Sequence, residues 1–380
     1  MAKRRMNGEG TIYQRPNGLW VCEITLGYDA NKKRIKKTVS SMDRDKLQKK
    51  INDLKYMNDR HLLTNPSEYT VSDWIEFWLD TYKKPSIKPT TYDMYRGNLE
   101  RYIKPQLGHY KLDKLNPIII QKFINDISEK GLNTQNGLSQ SSVKKVFITL
   151  SQACKQAVSV NILYQNPCNS VQLPKKPARE ATAFSVDEQN KFLSFCNGNS
   201  TFENLFIFAF NTGMRLGEML ALTWDDIDLE NRMVNVNKNL VVINDYNKNA
   251  TKKSKTVIDS TTKTTSGKRD IPLSDAAEMC VKQQQEKNIN SPFVFCSAAG
   301  TPLTKRNIYR AFNDRLKKAK ITTHLTIHSM RHSFATRLLE KGADIKTVSE
   351  LLGHKSIQIT LDIYSHISAN LKHQTISLLN

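Results

Sequence analysis

The chain has 380 residues, a formal net charge of +21 and a hydrophobic share of 39%. That length suffices for two or three separate cores, and the charge calls for a polyanionic partner. Mean hydropathy is −0.52, the densest apolar run (Leu205 to Phe210) has six residues, and no apolar stretch follows Lys3-Arg4-Arg5, so neither a membrane span nor a signal peptide is expected.

The cationic excess is spread along the chain. Lys and Arg outnumber Asp and Glu by 15 to 7 over residues 1–64, by 16 to 9 over 65–179 and by 26 to 20 over 180–380. Nucleic acid gripped along the whole length fits this better than a membrane surface, which would call for a basic amphipathic helix or a lipidation signal. Cys22, Cys154, Cys168, Cys196, Cys280 and Cys296 form no C-x-x-C pair, which argues against a zinc knuckle or a disulfide scaffold and fits a reducing cytosol.

Gly10 to Gln14 alternates like a strand, and Arg15-Pro-Asn-Gly18 supplies a hairpin turn. Leu19 to Leu26 reads as a second strand, Gly27 to Asn31 as a turn, and Lys32 to Val39 as a third strand studded with cations. Helical spacing begins at Asp43 and runs through Leu47, Ile51 and Leu54. Two readings fit: a small sheet with a solvated basic edge, or a sheet laid in a DNA major groove, which admits β-ribbons.

Thr70-Val-Ser-Asp73 predicts a capping box ahead of a helical stripe of Val71, Trp74, Ile75, Trp78, Leu79 and Tyr82. At that spacing core packing is favoured over a base-stacking platform. A second helix runs from near Pro89 until Pro105 stops it. A third opens at Asn116-Pro117 and ends at Lys130-Gly131, and a fourth spans about Ser139 to Val160. Four helices with basic loops suit a DNA clamp, although a plain helical spacer has the same pattern. Pro174-Lys-Lys-Pro177 reads as an extended linker and marks a domain boundary.

Ser185 to Glu188 predicts another capping box, opening a helix through Phe192 and Phe195. The apolar helix Asn204 to Phe210 runs into Thr212-Gly-Met-Arg-Leu-Gly-Glu218. An arginine between two glycines is well placed to point into a cleft; an Arg215–Glu218 pair stapling a helix start accounts for the same residues. Met233 to Val236 and Leu240 to Ile243 read as strands, a polar Lys/Thr/Ser stretch reaches Thr262-Lys-Thr264, and Lys268 to Leu273 closes a hairpin.

The stretch from His328 to Tyr364 concentrates chemistry. His328 and Arg331 share a helix face at i, i+3, Gly353 marks a helix end that leaves His354 on a turn, and Ser356 can cap a short helix carrying Ile357, Ile359, Leu361 and Tyr364. Two imidazoles, a guanidinium and a phenol suit an anionic substrate and a phenolic nucleophile.

T-G-M-R-L-G-E, L-T-W-D-D-I-D, T-K-T-T-S-G-K-R-D-I-P-L, H-S-M-R-H-S-F-A-T, L-L-G-H and L-D-I-Y-S-H follow one another in the order and rough spacing of the tyrosine recombinases, and essentially the whole chain resembles that family. The likeness looks closest to integrases of temperate phages and conjugative transposons, and G-x-I-Y-x-R-x-x-G-x-W resembles the arm-binding domain at the front of many of them. Gly267 stands where a serine is common. The resemblance implies a multidomain α+β chain. Residues 1–65 would be an arm-type DNA-binding domain of three strands and a helix, 66–175 an all-α core-site-binding domain, and 180–380 a mainly α catalytic domain with a small sheet.

The matching catalytic positions are Arg215, Lys263, His328, Arg331, His354 and Tyr364, with Glu218 supporting the first arginine. The implied reaction is in-line attack of Tyr364 on a DNA phosphodiester, giving a 3′-phosphotyrosine and a free 5′-hydroxyl. Arg215 and Arg331 would hold the non-bridging oxygens, Lys263 would protonate the leaving oxygen, and the histidines would donate hydrogen bonds, with no metal, cofactor or ATP. The resemblance also implies double-stranded attachment sites with core and arm sequences, a homotetramer on DNA, an excisionase, host DNA-bending proteins and the cytoplasm of a bacterial host.

Three further readings use some of these residues. His328 and His332 have zinc-pair spacing, but Ser329 stands where H-E-x-x-H hydrolases need Glu, and no third ligand is evident. A catalytically silent DNA-binding regulator explains the charge but leaves the Arg, Lys, His, Arg, His, Tyr set without a purpose. A type IB topoisomerase shares the chemistry, but the N-terminal sheet suits site-specific recombination better. The apolar tail (Ile367, Leu371, Ile376, Leu378, Leu379) could pack on a neighbouring subunit or on its own domain.

Overall fold

The computed structural model describes residues 11–28, 34–59, 69–130, 137–175, 182–244, 254–259 and 267–365. The chain falls into two compact units, Met1–Pro177 and Ala178–Asn380.

The first unit opens with an antiparallel sheet of β1 (Thr11–Gln14), β2 (Trp20–Tyr28) and β3 (Arg34–Ser41) in that spatial order. Gly18 makes the first turn at φ +81°, its N–H donating to Arg15 O at 2.9 Å. The second strand runs past the expected turn at Gly27, because a register shift between Thr25 and Gly27 keeps it paired with β3 as far as Tyr28. Helix α1 (Arg44–Asp59) buries Leu47 and Ile51 against Cys22 and Ile24.

The helical remainder has its own core. Thr70 and Asp73 form the expected capping box of α2 (Val71–Trp78), which a π-turn prolongs through Leu79–Lys83. Val71, Trp74, Ile75, Trp78 and Leu79 are buried and Trp74 Nε1 donates to Ala153 O at 2.8 Å, so the stripe is core; Tyr82 at its end is exposed. Helix α3 (Pro89–Asn98) does not stop at Pro105. A π-turn at Leu99–Ile103, where Lys104 N–H reaches back to Leu99 O, widens the helix just before the proline, and α4 (Lys104–Leu107) carries on. The proline then falls in the first turn of a new register, where its missing N–H costs little. Asn116 caps α5 (Pro117–Glu129) through Ile119 N–H at 3.0 Å, and Ser139 caps α6 (Gln140–Ser159), against which α2, α3 and α5 all pack.

In the second unit Ser185 and Glu188 cap α7 (Val186–Leu193); Phe192 is buried, while Phe195 lies beyond the helix and is exposed. The apolar α8 (Thr201–Thr212) sits at the centre, and its Phe206 and Phe210 pack with Phe184, Phe192 and Phe312 mostly edge to face. After α9 (Leu216–Ala221), β4 (Ile227–Asp228) and β5 (Met233–Val236) form a sheet with the later β8 (Arg269–Pro272), while β6 (Asn239–Asn244) pairs with β7 (Ser254–Asp259). The polar stretch before Lys263 thus holds a strand that periodicity misses, and β8 pairs with β5 across the intervening hairpin. Helices α10 (Asp275–Glu286), α11 (Lys305–Lys318), α12 (Ile327–Glu340), α13 (Ile345–Leu352) and α14 (Gln358–Ser365) complete the unit, with α10 and α12 packed on α8. Among the described residues no helix is long and apolar enough to cross a membrane.

Candidate active site

The site begins where α8 ends. Gly213 takes a left-handed turn (φ +61°), and a Cβ there would meet Phe334 Cδ1 at 2.4 Å, so only glycine lets the chain turn this close to α12. Arg215 follows as the N-cap of α9. Its backbone N–H donates to Glu218 Oε2 at 2.9 Å and its Nη1 to Glu218 Oε1 at 2.7 Å, while Nη2 donates to Gly353 O at 3.0 Å. The guanidinium therefore both staples the helix start and reaches across to the exit of α13.

That exit is a hub. Gly353 is left-handed (φ +65°), its N–H donates to Glu350 O at 2.9 Å, and His354 N–H donates to Ser349 O at 3.1 Å. This Schellman arrangement uses two of the helix's terminal carbonyls and leaves the next three without an intrahelical donor. Three arginines take them in order: Arg269 Nε donates to Leu351 O (2.6 Å), Arg331 Nη2 to Leu352 O (2.6 Å) and Arg215 Nη2 to Gly353 O (3.0 Å). Cations are stabilised at the negative end of a helix, so the same contacts suit the helix dipole. Arg331 Nη1 also donates to Gly213 O at 2.8 Å, joining the α8 turn to the α13 exit.

Glu218 balances two of these charges. Its carboxylate takes a fork from Arg269, Nη2 to Oε2 at 2.8 Å and Nη1 to Oε1 at 3.3 Å, as well as the Arg215 contact. Burial pushes the carboxyl pKa up, but the Arg269 and Arg215 contacts outweigh it and hold it below its ordinary value. Arg331 is 3% exposed; burial, then the charge of Arg215, brings its pKa down to about 9.

The histidines gather on the same side. His328 and Arg331 line a cavity of about 180 Å³ together with Met214 and, from α11, Lys305 and Tyr309. The His328 ring packs edge-on against His332 at 4.7 Å. His354 leaves the Schellman turn with Nδ1 2.9 Å from Thr360 Oγ1 on α14. Burial first, then neighbouring cations and imidazoles, lowers all three ring pKa values, to about 4 for His332 and about 3 for His354. Neutral imidazoles beside fixed guanidiniums make a pocket suited to an anion.

A family model described as "Phage integrase family" matches residues 183–370, and one for the "Phage integrase, N-terminal SAM-like domain" matches 70–128. The chain belongs to the phage integrase family. It is a site-specific recombinase of the tyrosine type, as the sequence resemblance implied. A "Tyrosine recombinase XerC-like" protein of Caldanaerobacter subterraneus is 28% identical over 94% of this chain and 94% of its own. The fold is shared with the Tn1549 transposon integrase in complex with a circular intermediate DNA (TM-score 0.69, 21% identity, 82% of this chain and 100% of that one). It is shared too with a lambda integrase tetramer bound to a Holliday junction (TM-score 0.61, 20% identity, 95% and 96%).

Of the residues singled out in the sequence of this integrase, Arg215, Glu218, His328, Arg331 and His354 come together, and Tyr364 lies on α14, which packs on α12 and α13. Lys263 and the apolar tail from Ile367 lie outside the described residues. Sequence reasoning passed over Arg269 and Thr360. Arg269 stands beside Lys268 in a cation-rich stretch, and only its place on β8 separates a buried arginine from a solvated lysine. The alternation Arg269, Ile271, Leu273 was the available signal.

Proposed function

We propose that Tyr364 attacks a DNA phosphodiester in line and that Arg215, His328, Arg331 and His354 bind the phosphate, in a chain that integrates and excises a mobile element or prophage. The observation that carries this reading is the gathering of those four side chains from the α8–α9 turn, α12 and the α13 exit, beside the helix bearing Tyr364. A phenol with a pKa of about 10 is a poor nucleophile at neutral pH and must be activated by its surroundings. Arg215 and Arg331 supply charge-assisted donors for the non-bridging oxygens and stabilise the charge that grows in the transition state. Both are held at main-chain carbonyls before substrate arrives, so little reorganisation is needed.

Lys263 is assigned the proton for the leaving 5′-oxygen, a general-acid step. His328 and His354 donate hydrogen bonds, and Glu218 holds Arg215. The 3′-phosphotyrosine conserves the phosphoester bond energy, so a second DNA end reseals the strand without ATP. Residues 1–65 bind arm sites, 66–175 bind core sites and 180–380 carry out the chemistry. Exposed Lys305, Arg306 and Arg310 on α11 extend the positive surface from the cavity wall along the duplex. The assembly is a homotetramer on attachment-site DNA, acting with an excisionase and host DNA-bending proteins in the bacterial cytoplasm.

The test is a nicked duplex carrying the attachment site, incubated without divalent metal. Wild type gives an SDS-resistant protein–DNA band and Tyr364→Phe gives none. Tight binding by wild type with no band would favour the silent regulator instead.

A further inference from the structure

We propose that Thr360 is a positioning residue that holds the His354 imidazole with its proton on Nε2, so that His354 meets the phosphate as a hydrogen-bond donor. This rests on the reading of His354 as a phosphate contact. His354 Nδ1 and Thr360 Oγ1 are 2.9 Å apart, and one of the two must donate. The ring is neutral near physiological pH, since burial and the charges of Arg331 and Arg215 bring its pKa down to about 3. It therefore has one proton to place, and Thr360 decides where.

The hydroxyl settles the direction. Thr360 is 0% exposed, so its proton needs an acceptor within the protein. A helical threonine commonly turns its hydroxyl onto the carbonyl four residues back. For Thr360 that carbonyl is Ser356 O, which accepts from Ile359 N–H at 3.2 Å, and among the described residues the hydroxyl bonds only to the imidazole. If Nδ1–H donated to Oγ1, the buried hydroxyl proton would have no acceptor. With Oγ1–H donating to Nδ1, the buried hydroxyl proton has its acceptor and Nε2 carries the ring proton.

The local sequence builds this pair. The Schellman turn at Gly353 releases His354 from α13, and Thr360 is the third residue of α14, the helix that carries Tyr364 four positions on. One hydrogen bond thus ties the imidazole's tautomer to the placement of the tyrosine helix. An Nε2–H imidazole cannot take the phenol's proton at that nitrogen, so His354 is assigned to the phosphate and not to deprotonating Tyr364.

The experiment uses the full chain labelled with ¹⁵N-histidine, and long-range ¹H–¹⁵N correlation assigns the protonated nitrogen. The His354 signal is identified by its loss in His354→Gln. Wild type and Thr360→Ser are expected to show His354 protonated on Nε2. Thr360→Val is expected to show a tautomer mixture and covalent-complex formation about tenfold slower at unchanged DNA affinity, the rate equivalent of one neutral hydrogen bond. Thr360→Ser should restore the rate. An Nδ1–H tautomer in wild type, or a Thr360→Val protein with wild-type tautomer and rate, would overturn the proposal. Should Thr360→Val fail to fold, the wild-type and Thr360→Ser spectra still decide the tautomer. Absence of any covalent complex in wild type would sink the recombinase chemistry, while the tautomer would still be read independently.

Discussion

Replacing Glu218 by alanine leaves Arg269 with no counterion among the described residues, and the structure indicates how much that matters. The Arg269 and Glu218 side chains are 6% and 8% exposed, whereas Arg215 is 40% exposed. Removing one partner from a buried pair costs about 3–5 kcal/mol, because the other charge stays buried and unpaired. The solvent-screened Arg215 contact adds at most about 1 kcal/mol. For a unit of this size each kcal/mol moves Tm by about 2–4 °C, so Glu218→Ala should lower it by roughly 6–24 °C in a circular-dichroism melt. Removing both partners in Glu218→Ala/Arg269→Met should cost less than removing Glu218 alone. The pair also has a pH signature. A carboxyl whose folded pKa is depressed contributes stability that is full above its ordinary value of 4.5 and fades as pH falls through the lower folded value. A Glu218→Ala protein melting within about 2 °C of wild type would refute the reasoning, since the buried-pair penalty predicts a larger shift.

Further tests probe neighbouring parts of the site. Arg331→Lys keeps the charge but lacks the fork that reaches Gly213 O and Leu352 O; single-turnover cleavage of the nicked duplex should fall by about 10²–10³. Gly213→Ala would force a Cβ to within 2.4 Å of Phe334 at a left-handed position, and its melt should show a loss of about 1–3 kcal/mol. His332 and His354 have folded pKa values of about 4 and about 3, below the ordinary 6.5, so the unfolded chain binds protons that the fold refuses. Stability should therefore drop as pH falls from about 6.5 toward 4, and denaturant midpoints for His332→Gln should drop less over that range.

Much of the fold and of this site is legible in the sequence because both are built from local rules. Gly353 stops α13 in the left-handed turn expected of it, the boxes at Thr70–Asp73 and Ser185–Glu188 open the helices they announce, and Arg215 and Glu218 are close enough in sequence to be read as a pair. What could not be read is what depends on distant partners. Arg269 finds Glu218 across 51 positions and Leu351 across 82, and beyond its alternation with Ile271 and Leu273 nothing in its neighbours marks it as buried. Strand β7 is polar because pairing with β6, and not a core-facing stripe, specifies it. Pro105 reads as a stop until the π-turn before it is known. The paired ends of α8 and α13 likewise emerge only once three arginines from three elements are seen on one helix exit.

The most direct test of the chemistry is to trap the covalent complex on the nicked duplex, digest it and map the DNA-linked peptide by mass spectrometry. The account predicts a single adduct on Tyr364, joined to a 3′-phosphate, with a free 5′-hydroxyl on the released strand. An adduct on any other residue, or a tyrosine joined to a 5′-phosphate, would contradict it.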